Sequence, residues 1–200
     1  MRIENLMDGG RVLPMTRWGS PVMHARTRAV AAFDEELHTL VRDMFATMKA
    51  SGGVGLAATQ VGVDLAVFVH RCPDENDEYH EGAVCNPTLH LPVGKDRRLD
   101  VAAEGCLSLP GAFQVLGRPD HAVCSGVDPF GQPVTVIGTG LLARCLQHET
   151  DHLSGIVFGD RLSSRARRDL YEQHRLRAGH YHERWPATPD GAAPPSSATQ

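Results

Sequence analysis

Two histidines four positions apart, His148 and His152, sit in a stretch whose apolar residues recur at helical spacing from Leu141 to about Leu153. Thr139 stands where an N-cap belongs and Gly155 where a helix stops. Positions four apart share one face of a helix, so both imidazoles can point at the same ion, with Glu149 beside them and within reach of a coordinated water. The rest of the chain then has to pack around this helix and deliver a third ligand to it. A metal site of this kind lowers the pKa of bound water toward neutrality, while an unligated glutamate takes and then delivers the proton. The chemistry implied is hydrolysis of an amide-like bond. A surface helix with two solvated histidines would carry the same five residues, so the third ligand decides.

Three candidates for that ligand separate the hydrolase classes, because a catalytic site needs three protein ligands and an open position. The metzincin pattern is followed as far as Gly155, but Phe158 stands where its third histidine belongs, which excludes that class. Glu172 lies at the distance used by thermolysin-like proteases. It falls beyond the helix stop and among arginines, where a solvated ion pair is its simpler role. Cys106, in Glu104-Gly105-Cys106-Leu107-Ser108, lies in a small polar segment that should run extended and turn at Leu109-Pro110-Gly111. A thiolate beside two imidazoles suits Zn²⁺ or Fe²⁺. A buried structural thiol is the plainer reading of a lone cysteine, and it is the one adopted for Cys124, which sits in a strand pattern.

Elsewhere the spacing predicts an amphipathic helix through Phe33, Leu37, Leu40, Val41, Met44, Phe45 and Met48, with Asp34, Glu35 and Glu36 at its positive end and Gly52-Gly53 as its stop. Residues 11–30 read as extended structure and turns. The short β-branched runs 65–70, 121–127 and 133–138 read as antiparallel strands, the last two joined by hairpin chemistry at DPFGQP. The acidic segment 72–82 reads as a solvated loop. A third helix, about 163–178, carries Arg165, Arg167, Arg168, Arg175 and Arg177. The class expected is α+β, with short antiparallel strands around the central metal-binding helix, an N-terminal amphipathic helix and a C-terminal helix. Residues 1–180 are expected to form a single catalytic domain, and 186–200, rich in Pro, Ala, Ser and Gly, a disordered tail.

A formal charge of −4 gives no global basic field, which argues against a dedicated nucleic-acid or membrane-surface protein. The N-terminus lacks a secretory pattern and no apolar run reaches the length of about 18 residues that a membrane span requires, so the expected compartment is the cytoplasm, with no membrane partner. Five cysteines without close pairs fit reduced thiols.

Three separated segments resemble, in order, the signature motifs of the peptide deformylases: Gly53-Val54-Gly55-Leu56-Ala57-Ala58-Thr59-Gln60, Glu104-Gly105-Cys106-Leu107-Ser108, and His148-Glu149-Thr150-Asp151-His152. The resemblance extends over roughly residues 12–162. It implies removal of the formyl group from the N-terminal formylmethionine of newly made proteins, with release of formate. Cys106, His148 and His152 would be the metal ligands, Fe²⁺ the physiological ion, and Zn²⁺, Ni²⁺ or Co²⁺ possible occupants of a purified sample. Glu149 would move the proton, and the Gln60 amide and Leu107 N–H would stabilise the oxyanion. Gly55 would hydrogen-bond the peptide. Val54, Leu141 and Cys145 would line the methionine slot, and Glu104 and Arg118 would brace the ligands.

Two positions depart from the family pattern. Arg144 replaces an apolar residue near the methionine pocket; a charge there cannot stay buried and unpaired, so it should reach the rim or pair with a carboxylate and affect peptide selectivity. Phe113 lies where relatives place a larger polar or aromatic group that touches the peptide. The substrate class implied is the N-formylmethionyl nascent peptide. The Arg-rich third helix adds a second expectation, contact with ribosomal phosphates near the exit tunnel, set against the solvated face that Asp169 and Glu172 suggest.

Overall fold

The structure, a computed structural model, describes residues 3–187. Three α-helices, α1 (Glu35–Ser51), α2 (Gly140–Leu153) and α3 (Ser164–Arg177), accompany seven strands: β1 (Gly55–Ala57), β2 (Val67–Pro73), β3 (Tyr79–His90), β4 (Leu99–Gly105), β5 (Phe113–Pro119), β6 (His121–Val127) and β7 (Pro133–Thr139). Five strands form an antiparallel sheet in the order β1-β2-β3-β6-β7, and β4 pairs with β5 as a separate two-stranded ribbon. The α+β class is as expected.

Alternation along β2 explains why its sequence reads as one apolar run. Val67 and Val69 face α1, packing with Val41, Met44, Phe45 and Met48, whereas Phe68 and Cys72 face α2, packing with Leu142, Cys145 and Leu146. The sheet is covered on both sides there, so both faces must be apolar. At β7 only one face is covered, and Ile137 on the other stays exposed.

Helix α1 begins two residues later than its apolar stripe suggests. Asp34 is the cap, its Oδ1 accepting from the N–H groups of Glu36 and Leu37 at 3.1 Å, and Phe33 lies outside the helix. Gly52, at φ 69°, ends it in the left-handed conformation that glycine adopts without strain. The extended segment before α1 ties its backbone to the frame: Leu13 N–H donates to Thr47 Oγ1, Thr16 N–H to the Gln60 carbonyl, and Trp18 N–H to the Ser108 carbonyl. Both motif loops are braced by that strap.

The acidic segment 72–82 is not a loop throughout. Strand β2 runs on to Pro73, β3 starts at Tyr79, and only a tight turn separates them, with Asp74 Oδ1 accepting from the N–H groups of Asn76 and Glu78. The charged residues misled because this hairpin end is largely exposed, and solvent-facing strand positions carry no apolar signal. Strand β3 escaped for a related reason: Asn86 at φ 52° and Pro87 interrupt it at a register shift between Cys85 and Thr88. Of the tail expected from residue 186, Pro186 and Ala187 are buried, and the remainder lies outside the described residues.

His70 on β2 is buried, with Nδ1 3.2 Å from the His80 carbonyl oxygen, and burial holds its pKa at about 4 instead of 6.5. Between these values the unfolded chain binds a proton that the folded chain does not, so stability falls as pH drops through this window. In His70→Asn the slope of unfolding free energy against pH between pH 6.5 and 4 should flatten by up to about 1.4 kcal/mol per pH unit. Urea titrations of both metal-free proteins across this range check it; parallel curves would remove His70 as the source.

Candidate metal centre and active site

Helix α2 brings its two histidines together by spacing alone, and the turn after β4 carries the thiol to them. Cys106 Sγ lies 3.3 Å from His152 Nε2, which lies 3.1 Å from His148 Nε2. Ligands placed tetrahedrally at about 2.0–2.3 Å from one ion would lie about 3.3–3.6 Å apart, so the three donors fit a single ion. All three are buried. His148 Nδ1 sits 2.8 Å from Glu104 Oε1, and a proton held there leaves Nε2 with its lone pair toward the other donors. Burial, and then the neighbouring His148, push the His152 pKa down, favouring the neutral ligand form.

Glu104 is the hub of a buried charge network. Burial alone would raise its pKa, but the Arg118 guanidinium and His148 hold it well below the usual carboxylate range. Arg118 binds it through two nitrogens at 2.6 and 2.7 Å and reaches Asp151 at 3.0 Å. Asp151 in turn pairs with Arg161. Arg144 is buried and points into the same network, donating to Glu104 at 2.9 Å, to Asp100 Oδ2 at 3.0 Å and to the Leu116 carbonyl. Of the two arrangements the sequence allowed for Arg144, pairing with a carboxylate is the one adopted. Asp151, Arg161 and Asp100 were missed. Asp151 could have been found, since an acid one turn beyond His148 on a buried face demands a cationic partner.

Glu149 is buried with Oε2 unpaired, and burial, reinforced by Glu104 against the opposing His148, raises its pKa to about 7. Gln60 lies in the short turn after β1. Its Oε1 accepts from the Ala57 N–H at 2.8 Å, which fixes the amide so that Nε2 faces Cys106 Sγ at 3.6 Å.

A cavity of about 330 Å³ opens beside these groups, with Cys106, His148, Glu149, Gln60 and Leu107 on its wall. Val54, Ala103, Phe113, Leu141 and Cys145 give it an apolar side, and Gly55, Glu104 and Arg144 also border it. Leu141 is half exposed at the lip and Cys145 is buried deeper, with its Sγ 3.6 Å from the Val54 carbonyl oxygen. His152 lies behind this surface. Glu172 is remote from the centre, in an exposed pair with Arg175 at 2.6 Å, and Phe158 is packed in the core. Cys124 is buried, with its thiol pushed up to about 12 by burial, as fits a structural residue.

Gly55 has a steric duty. A Cβ there would stand 2.5 Å from Glu149 Oε1 and 2.7 Å from Cys145 Sγ. Gly55→Ala should therefore displace the carboxylate and lower kcat by about 100-fold while the metal stays bound, because displacements of about 1 Å near reacting groups cost that much. Steady-state kinetics with metal analysis checks it; wild-type kcat would show that the carboxylate has room to spare.

Residues 12–168 match the polypeptide deformylase family. Peptide deformylase 1 of Streptomyces avermitilis is 52% identical over 167 residues, 83% of this chain and 77% of that protein. Peptide deformylase 2 of Streptomyces coelicolor is 53% identical over 164 residues, 82% of this chain and 90% of that one. Among solved structures, that of peptide deformylase from Ehrlichia chaffeensis in complex with actinonin superposes with a TM-score of 0.75 at 33% identity, covering 84% of this chain and 98% of that one. Sequence and fold thus agree, and this chain belongs to the polypeptide deformylases, the metal-dependent hydrolases that remove the N-formyl group from the N-terminal methionine of nascent proteins.

Proposed function

We propose that Cys106, His148 and His152 hold the ion, that Glu149 carries the proton, and that Gln60 Nε2 and the Leu107 N–H take up the charge that develops on the formyl oxygen. The observation that carries this assignment is the convergence of three donor atoms, from Cys106 and His148 on the cavity wall and His152 behind it, beside a buried carboxylate with an unpaired oxygen. When bound, the ion supplies a Lewis acid and a water acidified toward neutrality. One thiolate with two imidazoles is a donor set of borderline softness, which suits Fe²⁺ as the physiological ion and accommodates Zn²⁺, Ni²⁺ or Co²⁺.

Glu149 removes a proton from the attacking water and returns it to the departing amine, so a single buried carboxylate serves both half-steps. Gln60, pinned through Oε1, presents its amide N–H groups without reorganising, and that pre-orientation is what makes such donors effective. Val54, Leu141 and Cys145 receive the methionine side chain on the apolar wall, Gly55 binds the peptide backbone, and Glu104 orients His148. Arg144, tied to Glu104 and Asp100, shapes the cavity border.

Formate release from formyl-Met-Ala, measured with and without chelator under anaerobic conditions, tests the reading. Turnover should require metal and should spare acetyl-Met-Ala; cleavage of an internal peptide bond, or metal-independent turnover, would overturn it. The reading places the protein in the cytoplasm, where its nascent substrates are made, and among the described residues no helix is long and apolar enough to cross a membrane. A contact with the ribosome through α3 draws support from Arg165 and Arg168, which are exposed, whereas Arg167, Arg175 and Arg177 are hydrogen-bonded within the protein.

A further inference from the structure

The register of the β4–β5 ribbon sorts its side chains into two unlike faces. One face carries Asp100 opposite Arg118 and Glu104 opposite Gln114, the network beneath the metal centre. The other carries Leu99, Val101, Ala103 and Gly105 opposite Pro119, Gly117, Val115 and Phe113, without one polar side chain. That second face is open: Val101 is 64% exposed, Val115 61% and Leu99 47%. An antiparallel pair with one face on protein ordinarily turns a polar face to water, and a contiguous apolar strip, unlike scattered single residues, marks a surface that something covers.

We propose that this strip docks apolar side chains of the substrate peptide beyond its second residue, with Val101 and Val115 setting a preference for such sequences; the proposal rests on the deformylase reading. Continuity argues for the occupant. Ala103, Gly105 and Phe113, at one end of the strip, also border the cavity beside Cys106 and His148. From Gly105 to Leu99 the strip runs about 20 Å at about 3.3 Å per residue, a length that roughly six residues of extended peptide match. A peptide whose first methionine is in the cavity therefore has its third to about eighth residues available to lie along it. A second copy of this chain is a poorer fit. About 20 Å by two strand widths offers roughly 200 Å², against the ~800 Å² per partner that stable dimers bury.

The test compares kcat/KM for three substrates: formyl-Met-Ala, and two octapeptides that begin with it and continue with leucine and valine or with serine and glutamine. The apolar octapeptide should exceed the polar one by about five- to tenfold, chiefly through KM, as partial burial of one or two side chains on an open strip implies. In Val101→Glu/Val115→Glu the ratio should fall to near one while formyl-Met-Ala turnover stays unchanged. The β-branched pair Val101→Thr/Val115→Thr, which keeps the strand shape, should give an intermediate ratio. Equal wild-type values for the two octapeptides, or a ratio that survives the glutamate pair, overturns the proposal. So does a wild-type dimer in light scattering that the glutamate pair dissociates, since that assigns the strip to a second copy. Failure of the wild type to release formate from formyl-Met-Ala overturns the deformylase reading as well, so the two failures are distinguishable.

Discussion

Glu149→Gln is expected to bind its metal at the wild-type stoichiometry and to lose deformylation by about 1,000-fold, within the range that positioned acid–base groups contribute. The substitution keeps the side-chain volume in a site where Glu149 is buried against Gly55 and Cys145, so packing changes little. What it removes is the capacity to take a proton and give it back. The three donor atoms do not include this carboxylate, so metal content should be untouched. Single-turnover formate release with metal analysis on the same sample checks both halves. A variant that retains metal and keeps a tenth or more of the wild-type rate would take the proton-carrying role from Glu149. A variant without metal would instead show that the carboxylate supports the ligand geometry.

Glu104→Ala carries the second large effect, and here the loss is structural. Arg118 and Arg144 are buried around this carboxylate, and its removal leaves two guanidinium groups with fewer partners in a low-dielectric site. Breaking a buried ion pair on one side costs about 3–5 kcal/mol, while the Asp151 and Asp100 contacts retain part of the stabilisation. His148 also loses the acceptor at Nδ1, and disruption of such a contact weakens metal affinity by about 10–100-fold. Urea unfolding of the metal-free variant isolates the first effect, and competition with a chelator measures the second. Metal-free stability within about 1 kcal/mol of wild type would mean that the arginines find water or other partners without strain.

How far the sequence reveals this architecture depends on which face of each element meets the core. The helix bearing His148 and His152 was legible because its period and its candidate ligands coincide, and α1 because its acidic start and its glycine stop flank a clear stripe. Strand β2 was legible as an apolar run, since it is sandwiched between two helices. The β4–β5 ribbon was not. Its Ala-rich and Gly-containing strands pair only with each other, and their alternation is inverted, with charged side chains turned inward and apolar ones outward, so the usual apolar-inside signal is missing. For Arg144 the sequence allows either a place on the pocket rim or a carboxylate partner, but not which carboxylates, because Asp100 and Glu104, far from it in sequence, converge on it only in the fold. Contacts that close through folding leave no local period, so the three candidate donors could be picked out in the sequence and the network beneath them only in part.

Helix α2 presents His148 and Glu149 to the cavity while Leu142, Ala143 and Leu146 fill the core behind them. A shift or rotation of that helix would carry the reacting groups with it, so variation that repacks the centre of the molecule also detunes its chemistry. Natural drift and deliberate redesign are left with the rim: Leu141, Ala103 and Phe113 border the cavity and are partly open to solvent. Under the proposed assignment, changes at those three positions would alter what the cavity accepts while leaving the proposed hydrolytic groups in place, and an inhibitor gripping only the inner groups would leave few routes of escape that preserve turnover.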